Sequence, residues 1–203
     1  MATLAFFDQV PPLRVYDGLA RLLGASEDGI LEYRYTDAVR LAGHSCPTVA
    51  GAWLCTVAAL KRLYGDETPE RGNISVYFDD AEDSGVTGVI AQVLTLITGA
   101  AAANGFKGLA GRHARNNLLH YASKGVRGIR LRRNDTFKEV EVTFDTSSVP
   151  SDPAQQSLIP LVLGGQATPE QELEFGRLWQ DRVRRLLLEH ANDPNVVQVR
   201  DVA

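Results

Sequence analysis

The sequence predicts an α+β fold, an antiparallel sheet packed with helices in a single core domain. Three observations carry that reading. Segments with helical apolar spacing and segments of strict alternation both occur, without the regular strand–helix–strand order that builds a parallel sheet. Val140, Val142 and Phe144 alternate with Glu141 and Thr143, as a half-buried antiparallel strand does. The composition, 44% hydrophobic and 23% charged over 203 residues, is that of an ordinary globular chain, long enough to bury a core without disulfide staples.

Residues 11–24 read as a first amphipathic helix. Pro11-Pro12 opens it, Leu13, Tyr16, Leu19, Ala20 and Leu23 recur at helical spacing, and Gly24 closes it. On this reading 1–29 is an N-terminal helical extension and 30–203 is the core domain. Ile30 to Tyr35 alternates like a short strand or extended lead-in. Thr36 can cap a helix over 37–42, and Gly43 breaks it. Pro47 suits the first position of the next helix, 47–63, where its missing N–H costs nothing. Val49, Trp53, Val57 and Leu60 form that helix's apolar stripe, so Trp53 is expected in the core.

A strand is expected over 73–78, with Ile74, Val76 and Phe78 on one face. An acidic run follows (Asp79, Asp80, Glu82, Asp83), then an apolar helix over 86–97 and a Gly- and Ala-rich loop over 99–111. Further strands are expected at 117–121, 126–132 and 140–144, with a Ser- and Pro-rich connection at 149–160. Thr168-Pro169-Glu170-Gln171 has the pattern of a helix start: a Thr cap, Pro at the first position and Gln three residues after the cap. That helix should run to about His190, burying Leu173, Phe175, Leu178, Trp179, Val183, Leu186 and Leu187. Asp193-Pro194 stops it, and 196–199 reads as a last strand.

Lys and Arg number 21 against 25 Asp and Glu, a net charge of −4, which gives no electrostatic reason to expect nucleic acid or an anionic membrane as partner. The longest weakly polar stretch, 86–103, carries Thr, Gln, Gly and Asn and reads as a buried helix rather than a membrane span. Met1 to Phe7 lacks the basic start and long apolar run of a signal peptide. Cys46 and Cys55 are the two cysteines, too few for a disulfide framework or a four-thiolate zinc site. A reducing cytoplasm is the expected compartment.

The chemistry concentrates at Gly43-His44-Ser45-Cys46-Pro47. A helix start presents free N–H groups and a partial positive charge, which favour a thiolate. His44, two residues from Cys46, can be a second ligand to a metal ion held by that thiolate, or the base that activates Cys46 as a nucleophile. The alternative is a structural cysteine. Asp80 and Asp83 of the acidic run and His113 beyond the Gly-rich loop are the weaker candidates to complete a metal site. The other reading of the acids is a solvated turn favouring the following helix start. His120 lies in an apolar strand and His190 at a helix C-terminus, and neither needs a functional explanation. Cys55 follows Cys46 by about two and a half helical turns, roughly 14 Å along the axis, so it cannot share an ion with it and reads as core.

The stretch Asp37 to Pro47, with its Gly-His-x-Cys-Pro element after a short helix, resembles the FmdE family, named for a component of formylmethanofuran dehydrogenase. The likeness continues through Trp53 to Leu63, Asp83-Ser84, the helix ending at Thr98-Gly99, Gly165-Gln166-Ala167-Thr168-Pro169-Glu170, and Val197 to Arg200, so it covers about 30–200. The chain departs from the family pattern at Gly85 and Ala100, where cysteines are frequent, and it has no cysteines for the C-terminal zinc finger common there. The resemblance implies an α+β core that forms a homodimer, often by exchanging elements. It implies no settled reaction; the first reading is a divalent metal ion, zinc by default because it accepts mixed nitrogen and sulfur ligands, held by His44 and Cys46 with Asp80, Asp83, His113 or a partner chain supplying the rest, in metal handling or an accessory role beside a molybdenum or tungsten metalloenzyme partner. Two rivals stand beside it: an enzyme with Cys46 as nucleophile and His44 as base, and a structural accessory protein with a vestigial site.

Overall fold

The computed structural model describes residues 4–202 and is α+β. A 3₁₀ turn at Ala5–Gln9 leads into β1 (Leu13–Tyr16), α1 (Gly18–Leu22), β2 (Ile30–Tyr33), α2 (Tyr35–Ala42), α3 (Pro47–Tyr64), β3 (Ile74–Phe78) and α4 (Thr87–Thr98). Then come β4 (Leu119–His120), β5 (Ile129–Arg133), β6 (Glu139–Phe144), α5 (Pro153–Leu163), α6 (Pro169–Arg184) with a π-helical turn at Arg185–Glu189, and β7 (Val197–Asp201).

Five strands form one sheet in the order β4-β3-β5-β6-β7, and β1 and β2 form a separate antiparallel pair. All pairings in the large sheet are antiparallel except β3 with β4, which is parallel and short, so the sheet is mixed rather than purely antiparallel. Alternation decides which face is covered. Ile74, Val76, Phe78, Ile129, Leu131, Val140 and Val142 are buried in the core, beneath α3. On β5 and β6 the intervening residues carry charge, and Glu141 is buried between Arg130 and Arg200, which both hydrogen-bond its carboxylate. α3 is the central helix: Val49, Trp53, Ala59 and Leu60 are essentially inaccessible.

Three expectations are corrected. Residues 11–24 do not form one helix. Leu13–Tyr16 is a strand whose residues pair with Ile30–Tyr33, and Tyr16 also donates its N–H to Pro69 O at 2.8 Å. These pairings outweigh the helical spacing, and Val15 and Val10 join the same core as α3. The helix then starts late because Asp17 caps it, its Oδ1 accepting from the N–H groups of Leu19 and Ala20. In the second case, the expected connection at 149–160 contains α5. Asp152 caps it by accepting from Ala154 N at 2.8 Å, Pro153 occupies its first position, and Pro160 is tolerated inside it. The third concerns α6, whose apolar stripe is buried only toward its C-terminal half: Val183, Leu186 and Leu187 are in the core, Trp179 is half-buried, and Leu173 is 76% exposed.

α2 starts two residues before the expected 37, and its first turn is stabilised by Asp37, whose carboxylate accepts from Arg34 N at 2.8 Å. Among the described residues, no helix is long and apolar enough to cross a membrane.

Candidate functional site

The Gly-His-Ser-Cys-Pro turn joins α2 to α3. Gly43 closes α2 in the left-handed conformation, φ 75°, which a residue with a Cβ adopts at a cost. Cys46 is the N-cap of α3, its Sγ accepting from Val49 N–H at 3.5 Å, and Pro47 takes the first helical position as expected. The turn is clamped from both sides. Ser45 Oγ lies 2.9 Å from the Tyr35 hydroxyl, and the Ser45 carbonyl accepts from Trp179 Nε1 at 3.1 Å and Gln180 Nε2 at 2.9 Å. This explains why Trp179 stays half-buried: its polar edge is turned to the 43–47 turn. Trp179→Phe removes one of these two donors while Gln180 keeps the other. We expect a loss of about 0.5–1.5 kcal/mol in urea titration; a loss several times larger would mean that the indole does more than hold the turn.

His44 is exposed, with Nδ1 3.0 Å from the Ala42 carbonyl. A carbonyl only accepts, so in this contact Nδ1 carries the proton and a neutral ring has its lone pair on Nε2. Cys46 is 8% exposed, at the start of α3. Cys55 is 1% exposed within α3, and burial pushes its thiol up to about 12. It is a core residue, as its spacing from Cys46 implied.

Beside this turn lies a cavity of about 640 Å³, lined by the N-terminal half of α3, the start of α4, and the ends of β3, β5 and β6. Pro47 and Thr48 are on one wall and Asp79 and Asp80 on another, so part of the acidic run does face the start of α3. Gly51 makes room there, since a Cβ at that position would lie 2.4 Å from the Phe144 ring.

The acids differ in what they do. Both oxygens of Asp79 are engaged, Oδ1 by Asp80 N at 2.9 Å and Oδ2 by Gly128 N at 2.8 Å, which ties the end of β3 to the start of β5. The Asp80 carboxylate has no hydrogen-bond or ion-pair partner among the described residues. Asp83 is exposed on the turn before α4 and does not line the cavity. His113 is elsewhere, in a left-handed conformation with φ 59°, its ring packed against Gly18 at the start of α1. His120 stacks on Tyr77, centroids 4.7 Å apart, and His190 Nδ1 pairs with Asp193 at 2.8 Å. Among the described residues, no three His, Cys, Asp or Glu side chains gather closely enough to hold one ion.

Sequence reasoning does not single out Arg127, which lines the cavity near Asp80, nor Thr48 and Thr143. No spacing could reveal them, because they come from α3, β6 and the lead-in to β5 and meet only when the sheet forms. No protein-family model matches the chain, and a search of curated proteins finds no significant match.

Proposed function

We propose that this is a metal-binding protein whose centre forms at the start of α3, with His44 and Cys46 as its ligands. The observation that carries the reading is the contact from His44 Nδ1 to the Ala42 carbonyl at 3.0 Å, which leaves Nε2 as a free donor atom on an exposed ring. Cys46 adds a sulfur donor at the N-cap of α3. Zinc accepts such mixed nitrogen and sulfur ligands. The chain offers two donors here, so water, a substrate group or a second copy would fill the remaining positions. A bound ion with an open position would supply Lewis-acid chemistry. The resemblance to the FmdE family supports metal handling or an accessory role beside a molybdenum or tungsten metalloenzyme. The two unpaired thiols are in keeping with a cytoplasmic location.

A homodimer belongs to the same proposal. Leu163 at the end of α5 and Leu173 in α6 are 81% and 76% exposed, a projecting pair of apolar side chains that a second copy could cover. Light scattering at micromolar concentration should give twice the 22.1 kDa chain mass, and a monomer alone would count against the dimer.

Elemental analysis of protein purified without an affinity tag, after growth with added metal, tests the centre. Wild type and Cys55→Ser should carry metal, and His44→Ala and Cys46→Ser should lose most of it. Equal metal in all four proteins, or none in wild type, would remove the metal reading. The rival nucleophile reading then makes its own claim: iodoacetamide should label Cys46 selectively in metal-free protein, and His44→Ala should slow the reaction. Cys55 stays unlabelled in either case, because it is buried and its thiol is pushed up to about 12.

A further inference from the structure

We propose that the cavity beside α3 is a binding site for a zwitterionic small molecule of the α-amino-acid class, with an ammonium group, a carboxylate and an apolar body. The site needs no metal at His44 and Cys46.

The walls define the ligand. β3 and β5 remain paired one step beyond Phe78 and Ile129, with Asp79 N–H donating to Gly128 O at 3.2 Å and Gly128 N–H returning a bond to the Asp79 carboxylate at 2.8 Å. Past that step the two chains present Asp80 and Arg127, both on the cavity wall. Neither side chain has an ion-pair or hydrogen-bond partner among the described residues, nor do they pair with each other. Closing such an exposed pair in water gains little, so both charges remain free for a ligand.

Two further carboxylates, Asp79 and Asp145, line the cavity but already accept backbone N–H groups, from Asp80 and Gly128 and from Ser147, and the remainder of the lining is apolar or neutral. Ala52, Ile90, Ile129, Val142 and Phe144 offer an apolar wall, and Thr48 and Thr143 add hydroxyl groups. A volume of about 640 Å³ lies within the range of small-molecule sites. A simple anion would satisfy Arg127 and meet Asp80 unfavourably, and a simple cation would do the reverse. A molecule bearing both charges next to each other, with an apolar body, matches the two charged groups left without partners and the apolar wall between them.

Calorimetric titration with L-phenylalanine, phenethylamine and 3-phenylpropionate tests this, since the three share an apolar body and differ in charge. L-Phenylalanine should bind about tenfold or more tightly than either single-charge analogue, because each analogue leaves one charged group unmet. Arg127→Gln should erase the advantage over phenethylamine, and Asp80→Asn the advantage over 3-phenylpropionate. Both residues are exposed, so unchanged melting temperatures would confirm that the variants fold. Absence of binding at millimolar L-phenylalanine would overturn the proposal. So would equal binding of all three compounds, or binding that neither substitution alters. His44→Ala and Cys46→Ser should leave the titration unchanged, which separates failure of this site from failure of the metal centre.

Discussion

Trp53→Ala should cost about 3–5 kcal/mol of folding stability, the range for truncating a fully buried large aromatic side chain. Trp53 is 1% exposed, at the middle of the central helix. Its ring meets Tyr35 edge-to-face at 6.1 Å, and Tyr35 meets Phe7 at 5.2 Å, so one aromatic row ties α3 to α2 and to the N-terminal turn. Losing the indole removes its buried surface and leaves a cavity that this rigid surround only partly fills. Denaturant titration reads the result through the shift in midpoint at unchanged slope. A loss under about 1 kcal/mol would mean that α3 does not present this face to the core. The control is Leu173→Ala, which removes a 76% exposed side chain and should barely alter the stability of the isolated chain.

Asp17→Ala should cost a similar amount, about 3–5 kcal/mol, because it breaks a buried charge cluster from one side. Asp17 is 3% exposed and accepts from Arg71 Nη1 at 2.9 Å and Arg115 Nη2 at 2.7 Å while also capping α1. Arg115 is itself buried. Its guanidinium fills the space where Gly72 lacks a side chain, a Cβ there falling 0.9 Å from Nη1. Removing Asp17 leaves that guanidinium in a dry place with only a carbonyl, Arg71 O, to meet it. The same cluster gives a pH dependence. Burial pushes the Asp17 carboxyl up, but the Ala20 N–H, Arg71 and Arg115 outweigh it and hold it below the ordinary carboxylate range. A lowered native value means that the cluster's contribution is complete above the unfolded carboxylate range, from about pH 5 upward. It is lost as pH falls through the native value. Asp17→Asn should therefore flatten the acid limb of the stability curve between about pH 5 and pH 2, and an acid limb identical to wild type would refute this account.

How much is legible in the sequence depends on how far the deciding interaction reaches along the chain. α3 can be placed from Pro47, the Val49–Trp53–Val57–Leu60 stripe and Gly65, because the forces that start, pack and stop a helix act within a few residues. β6 is legible in the alternation around Val140 and Val142, and α6 in the Thr168 capping box, whose two bonds both form. The segment 11–24 misleads because its local spacing fits a helix while its strand partner lies at 30–33. α5 is hidden because its Ser and Pro content masks a sound start at Asp152-Pro153.

The candidate site divides along the same line. The sequence by itself determined that Cys46 sits at a helix start with His44 two residues before it, that Cys55 is core, and that acids follow the strand ending at Phe78. Each is a matter of near neighbours. Only the tertiary structure decided which acid is free: Gly128, nearly fifty positions away, occupies one oxygen of Asp79 and leaves Asp80 without a partner. Only it could bring Arg127 beside Asp80, set His113 against Gly18 and turn Trp179 and Gln180 onto Ser45, because each contact joins segments that the sheet and core packing must first bring together. Helix and strand periodicity show which face of an element is buried, and the partner of that face is set by the packing of the whole chain.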